Sequence, residues 1–138
     1  MITITRRLEI DYGHRLMNHE GKCRNAHGHR GVFDVECAAP ELDKLGRVID
    51  FSVLKGVLGG WLDDNWDHGF IYEQGDPIGD FLIKTNQKSF MLKTGWAPTS
   101  EHLAQFFLGK ARDLMLDFGI EVVSVKMWET PNCYALAR

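Results

Sequence analysis

The chain lacks any apolar run near the roughly 20 residues that a membrane-crossing helix needs. It also lacks internal repeats and low-complexity segments. No sign of charge dominates: 16 Lys and Arg stand against 19 Asp and Glu, a net charge of −3. Such a field does not gather nucleic acid or anionic lipid, so neither is expected as a partner. Met1 to Arg7 lack the basic-then-apolar layout of a signal peptide, and the expected location is the cytoplasm. Cysteines are few and odd in number: Cys23, Cys37 and Cys133. Without a secretion signal that argues against a disulfide framework. Cys37 reads as a small buried hydrophobe in an alternating stretch, and nothing around Cys133 suggests chemistry.

What is present fits one domain spanning 1–138, 44% hydrophobic and large enough for a real core. Ile2, Ile4, Leu8, Ile10 and Tyr12 alternate with polar residues, which predicts a half-buried strand over 2–12 with His14 following on the apolar parity. A loop to about Gly28 precedes a second strand, with Phe33, Val35 and Cys37 on one face. Pro40 ends it, and Arg47–Asp50 is a hairpin partner or a lead-in to a helix. Ser52 is a plausible cap for that helix, whose stripe is Val53, Leu54, Val57, Leu58, Trp61 and Leu62. Its glycines 56, 59 and 60 suggest tight packing against a sheet. The stretch from Asn65 to Pro98 is hard to read, and its length predicts a small hairpin or short helix inside it. Pro98-Thr99-Ser100-Glu101 supplies a stop, a cap candidate and a first-turn acid for a second helix ending near Gly119. Strands over Ile120–Glu129 and Cys133–Ala137 close the chain. The expected class is α+β, an antiparallel four-stranded sheet with two helices packed on one face.

His27-Gly28-His29 places two imidazoles on one side of an extended chain, and a pairing of the first two strands brings His14 beside them. Three neutral imidazoles without a fourth protein ligand describe a catalytic zinc with an open position. The alternative is a set of polar surface histidines. Cys23, between Lys22 and Arg24, is a fourth ligand, a general base or nucleophile, or an ordinary thiol; cationic neighbours and a metal both favour thiolate. Asp67-His68 is weak by itself, since adjacent strand residues point apart. Glu129 lies on the apolar parity of its strand, where a carboxylate is costly unless paired. It is expected to meet a ligand or a cation, unless the strand has already ended.

The run Cys23-Arg24-Asn25-Ala26-His27-Gly28-His29, preceded by His14-Arg15-Leu16, resembles the 6-pyruvoyl-tetrahydropterin synthase family. Val48-Ile49-Asp50-Phe51, Asp67-His68, Pro98-Thr99-Ser100-Glu101 and Glu129-Thr130-Pro131 match its later motifs in order. Three residues between Cys23 and His27 resemble the bacterial branch that makes 6-carboxy-5,6,7,8-tetrahydropterin for queuosine biosynthesis. The resemblance implies a tunnelling fold, trimers stacked into a homohexamer, and active sites between subunits. It implies a lyase acting on 7,8-dihydroneopterin triphosphate, with one zinc per subunit on His14, His27 and His29. Cys23 is then the proton acceptor, His68 with Asp67 its relay, and Glu129 the grip on the pterin ring and a candidate member of the relay. Thr99 and Ser100 are carried over as substrate-binding.

Three departures stand out. Ile10-Asp11-Tyr12-Gly13 replaces the usual aromatic-x-Ala-Ala, Ile71-Tyr72 replaces Leu-Asn after Asp-His, and 68–98 is longer than in compact bacterial members. That extra length is expected near the pocket mouth. The competing readings are a pyruvoyl-forming or sepiapterin-type lyase, a non-catalytic metal- or pterin-binding protein, and a structural zinc module.

Overall fold

The computed structural model describes residues 1–138. The first two strands, β1 (Ile4–His14) and β2 (His27–Ala38), are long and fully paired, running antiparallel from Ile4 opposite Cys37 to His14 opposite His27. The second strand thus begins earlier than the Gly-rich sequence suggests, and both histidines of His27-Gly28-His29 belong to it. Cross-strand neighbours share a face. Leu8, Ile10 and Tyr12 of β1 and Phe33, Val35 and Cys37 of β2 all enter one core. The opposite face is charged: Arg7 pairs with Asp34, and Arg30 with Glu9 and Asp11.

Helical turns follow over Phe51–Leu54 (α1), a π-helical stretch Lys55–Gly59, and Gly60–Asn65 (α2). Arg47–Asp50 is a lead-in, not a strand, and the cap is Asp50, which accepts from the Ser52 N–H at 2.8 Å. Leu54, Leu58 and Leu62 are fully buried. Gly59 lets the helix lie on the sheet, since a Cβ there would stand 3.4 Å from Leu8 Cδ2.

The stretch that resisted reading forms a parallel strand–helix–strand unit: β3 (Phe70–Glu73), α3 (Pro77–Lys84) and β4 (Ser89–Leu92). Then come α4 (Ser100–Met115), β5 (Glu121–Thr130) and β6 (Cys133–Ala137). Thr99 caps α4, accepting from the His102 N–H at 3.2 Å.

The sheet therefore has six strands in the order β4-β3-β1-β2-β5-β6, not four, and it is mixed, because β3 pairs in parallel with both β1 and β4. The helices do not all share a face either. Trp61, Trp66, Phe90, Phe106 and Phe107 cluster with Phe33 on the core face, with ring centroids 5.2 Å (Trp61–Trp66) and 5.3 Å (Phe33–Phe107) apart. On β3, Ile71 joins that core, but the next residue, Tyr72, is equally buried and sits under Gly79 of α3. Successive strand residues point to opposite faces, so α3 covers the far side of β3 and β4. A four-residue strand buried on both faces has no alternation, which is why periodicity misses it.

Gly79 is a spatial requirement: a Cβ there would lie 2.1 Å from the Tyr72 ring. Gly79→Ala is expected to destabilise by about 1–3 kcal/mol through overpacking. Gly56, with open space around it, predicts the reverse: Gly56→Ala stabilises by up to about 1 kcal/mol. Urea unfolding midpoints of the two variants check both signs.

Candidate metal centre

The β1–β2 register sets His14 directly opposite His27 and Tyr12 opposite His29. All four side chains lie on the core face. The three imidazole centroids are 4.6 Å (His14–His27), 5.0 Å (His14–His29) and 4.9 Å (His27–His29) apart. One nitrogen from each ring lies within 4.8 Å of the others. Two of the rings are oriented from behind. His14 Nδ1–H donates to the Pro98 carbonyl at 2.7 Å, and His27 Nδ1–H donates to the Asn25 carbonyl at 2.6 Å. Both therefore present Nε2 as a lone pair, the arrangement in which outer hydrogen bonds orient metal-ligating histidines.

The residues fit a metal ion on a further ground. His14 Nε2 is buried and has no hydrogen-bond partner, and an unsatisfied buried acceptor is costly. An ion at the convergence point would satisfy it. Burial pushes the His14 pKa from 6.5 down to about 4 against the Pro98 hydrogen bond, with His27 and His29 adding to the fall. Burial also lowers His29, opposed by Glu129. Neutral imidazoles are what a metal needs.

Glu129 closes one side, as its parity suggested. Its Oε1 stands 3.6 Å from His14 Nε2 and 3.8 Å from His29 Nε2. Tyr12 forms the floor, its ring centroid 5.2 Å from His14 and 5.8 Å from His29. Its hydroxyl is buried without a partner, and burial, then Glu129, keep it protonated by raising its pKa. Gly31 makes room for that ring, because a Cβ there would lie 2.8 Å from Tyr12 Cε1. The sequence put Tyr12 on the apolar parity of β1 and within a departure from the family pattern, without a place at the site, and gave no sign of Pro98 as the residue orienting His14. Tyr12 was findable, two residues before His14 on the same parity; the Pro98 carbonyl left no signal.

Cys23 is half-buried in a 3₁₀ turn (Lys22–Arg24) ahead of β2, and its sulfur is not among the converging ligand atoms. Asp67 and His68 do pair with each other, contrary to the objection that neighbours in a strand diverge: they occupy a turn, with His68 at φ 56° and its Nδ1–H 2.8 Å from Asp67 Oδ2. Asp67 Oδ1 accepts from the Asp11 N–H at 2.9 Å. Neither side chain of the pair is among the converging ligand atoms. His68 is exposed on a cavity of about 400 Å³ whose lining also includes Asp11, Tyr12, Gly13, His27 and Phe70. Leu82, Gln87 and Lys88 of the long segment line it too. Thr99 and Ser100 serve the start of α4, Thr99 as its cap and Ser100 Oγ 3.2 Å from Glu101 Oε2.

The model of one protein family, described as 6-pyruvoyl tetrahydropterin synthase, matches residues 3–138. A 6-carboxy-5,6,7,8-tetrahydropterin synthase of Rickettsia bellii is 40% identical over 137 residues, covering 97% of this chain and 98% of that protein. The enzyme of the same name from Haemophilus influenzae is 34% identical, with 97% and 96% covered. Among solved structures, an uncharacterised Wolinella succinogenes protein superposes with a TM-score of 0.82 at 25% identity, covering 99% of this chain and 97% of that one. The Caenorhabditis elegans 6-pyruvoyl tetrahydropterin synthase gives 0.71 at 24% identity, with 99% and 94% covered. The fold is the expected tunnelling fold, and no helix is long and apolar enough to cross a membrane.

Two outcomes are expected of the histidine cluster. His14→Ala should weaken divalent-metal binding beyond the roughly 10–100-fold that follows loss of an outer hydrogen bond, read by competition with a chromogenic chelator. In metal-free protein the unfolded chain takes up a proton near pH 6.5 that folded His14 refuses until about pH 4. Stability should therefore fall as the pH drops through that window. Urea midpoints at pH 7 and pH 5 test this, and His14→Gln should narrow the difference.

Proposed function

The chain belongs to the 6-pyruvoyl tetrahydropterin synthase family, and on that premise we propose that it is a zinc-dependent carbon–carbon lyase. Its substrate is 7,8-dihydroneopterin triphosphate; its products are 6-carboxy-5,6,7,8-tetrahydropterin, acetaldehyde and triphosphate, made for queuosine (7-deazaguanine) biosynthesis in the cytoplasm. The observation that carries this reading is near-full-length identity of 34–40% to relatives bearing that enzyme name. The convergence of His14, His27 and His29 supports it.

Each residue then has a task. His14, His27 and His29 hold one zinc per subunit. Zinc, when bound, polarises the side-chain hydroxyls of the substrate and stabilises developing alkoxide charge. Glu129 grips the pterin by accepting two adjacent N–H donors, a bidentate contact with good selectivity. Its place beside His14 and His29 sets the ring next to the metal. Cys23 moves protons between adjacent side-chain carbons, work suited to a thiol near neutral pH. Its absence from the converging ligand atoms fits a base better than a fourth ligand. His68, oriented by Asp67, relays those protons.

The Asp67–His68 pair is not among the converging ligand atoms of its own chain, and the His68 ring is largely exposed. The assembly proposed with this reading is a homohexamer, a dimer of trimers with sites at subunit interfaces, in which His68 serves a neighbour. The charged far face of β1 and β2 would lie inside such an assembly. Thr99 and Ser100 follow Pro98, whose carbonyl holds His14, and are assigned to substrate binding alongside their work at the start of α4.

Incubating the zinc-loaded protein with dihydroneopterin triphosphate should yield the carboxylated pterin and acetaldehyde in equal amounts. A pyruvoyl pterin without acetaldehyde would replace this assignment with the pyruvoyl-forming reaction. Cys23→Ala should keep one zinc per chain and lose at least about 100-fold in turnover, as removal of a general base does. Loss of zinc in that variant would make Cys23 a ligand instead.

A further inference from the structure

Arg15 follows His14 directly, where β1 ends. Its guanidinium makes a two-pronged contact with Asp76: Nη2–H donates to Oδ1 at 2.6 Å and Nε–H to Oδ2 at 2.8 Å. The third arm, Nη1–H, donates to the backbone carbonyl of Arg24 at 3.3 Å. Asp76 is buried, its side chain 2% exposed, and Arg15 is largely covered at 16%. Asp76 also caps α3, accepting from the Ile78 N–H at 3.0 Å.

Both ends of this contact touch segments that carry chemistry. Arg24 adjoins Cys23 in the 3₁₀ turn. The next residue after Arg15, Leu16, donates its N–H to the Cys23 carbonyl at 2.9 Å. Residues 15 and 16 thereby hold two successive carbonyls of the thiol-bearing turn, which is otherwise short and contains no buried residue. Asp76 belongs to the strand–helix–strand unit entered through His68-Gly69, and β3 of that unit pairs with β1 at Gly13 and His14. A planar guanidinium fork fixes both distance and orientation, which an ammonium point charge does not.

We propose that Arg15 and Asp76 are positioning residues: their buried fork sets where the Cys23 turn stands relative to the metal centre and to the unit bearing His68. The inference rests on the proton-transfer roles proposed for Cys23 and His68. In the proposed assembly one chain presents its thiol to one site and its imidazole to the next, and this contact spaces the two. Displacement of a reacting group by about 1 Å is enough to cost up to about 100-fold in rate.

The test compares full-length, zinc-loaded Arg15→Lys with Val122→Ala, a core substitution of a fully buried residue at the opposite end of β5, in a background where exposed Cys133 is Ser. Turnover and the rate of Cys23 alkylation by iodoacetamide are both measured. Arg15→Lys should lower kcat at least about tenfold with KM changed less than about twofold, retain one zinc per chain, and change the alkylation rate several-fold. Val122→Ala should leave both rates at the parent value despite lower stability. Asp76→Asn, which keeps the helix cap but loses the carboxylate, should repeat the Arg15→Lys result if it folds. Parent-like kcat and alkylation in Arg15→Lys would overturn the proposal, as would equal changes in Val122→Ala. If the parent protein does not turn over the pterin, the functional reading fails, while the alkylation comparison still decides whether the fork positions the thiol.

Discussion

Everything at the metal centre depends on one alignment, the pairing of β1 with β2 that puts His14 opposite His27 and Tyr12 opposite His29. A slip of one residue would turn every side chain of one strand to the other face. His14 would then point into the charged side with Arg7 and Arg30, and the hydrophobic set Leu8, Ile10, Phe33 and Val35 would be split. The core therefore enforces the register, and the register assembles the ligands. Folding and the convergence of the histidines share one cause here: residues that bury apolar surface and the three imidazoles occupy the same strand parity.

That shared parity creates an electrostatic problem. Three imidazoles and a carboxylate occupy the end of a hydrophobic core, and His14 is as buried as its apolar neighbours. Burial favours the uncharged rings, while the carbonyls of Pro98 and Asn25 fix the tautomers of His14 and His27. The orphaned Nε2 of His14 is the residual cost, and it is the kind of cost that functional sites retain and a bound cation removes. Glu129, its side chain 31% exposed, and the buried, partnerless Tyr12 hydroxyl both flank these rings.

The second feature that shapes the site is the two-faced sheet. On the core side lie α1, α2 and α4 with the aromatic cluster. On the far side, α3 covers β3 and β4 through the close contact of Gly79 with Tyr72, while β1 and β2 carry the ion pairs of Arg7 and Arg30 there. The exposed Asp67–His68 turn opens onto a cavity that Tyr12 and His27 also line.

How much of this was legible depended on local signals. Alternation exposed β1, the second half of β2, and β5; the Thr99 cap and the apolar stripe exposed α4; two-residue spacing put His27 and His29 on one side. Glu129 was flagged by a carboxylate on an apolar parity. The ordered motifs then carried the family. What the residues could not reveal is whatever depends on contacts between distant segments. The β3–α3–β4 unit reads poorly because β3, buried on both faces, has no period. The orientation of His14 by a carbonyl 84 residues away leaves no mark, since every residue offers a carbonyl. The buried fork of Arg15 and Asp76 looks, in sequence, like two ordinary surface charges. The sequence by itself determined the ligand types, their parity and the family; the tertiary structure decided tautomer, burial and which face each group meets, because these follow from packing between segments and not from spacing within them.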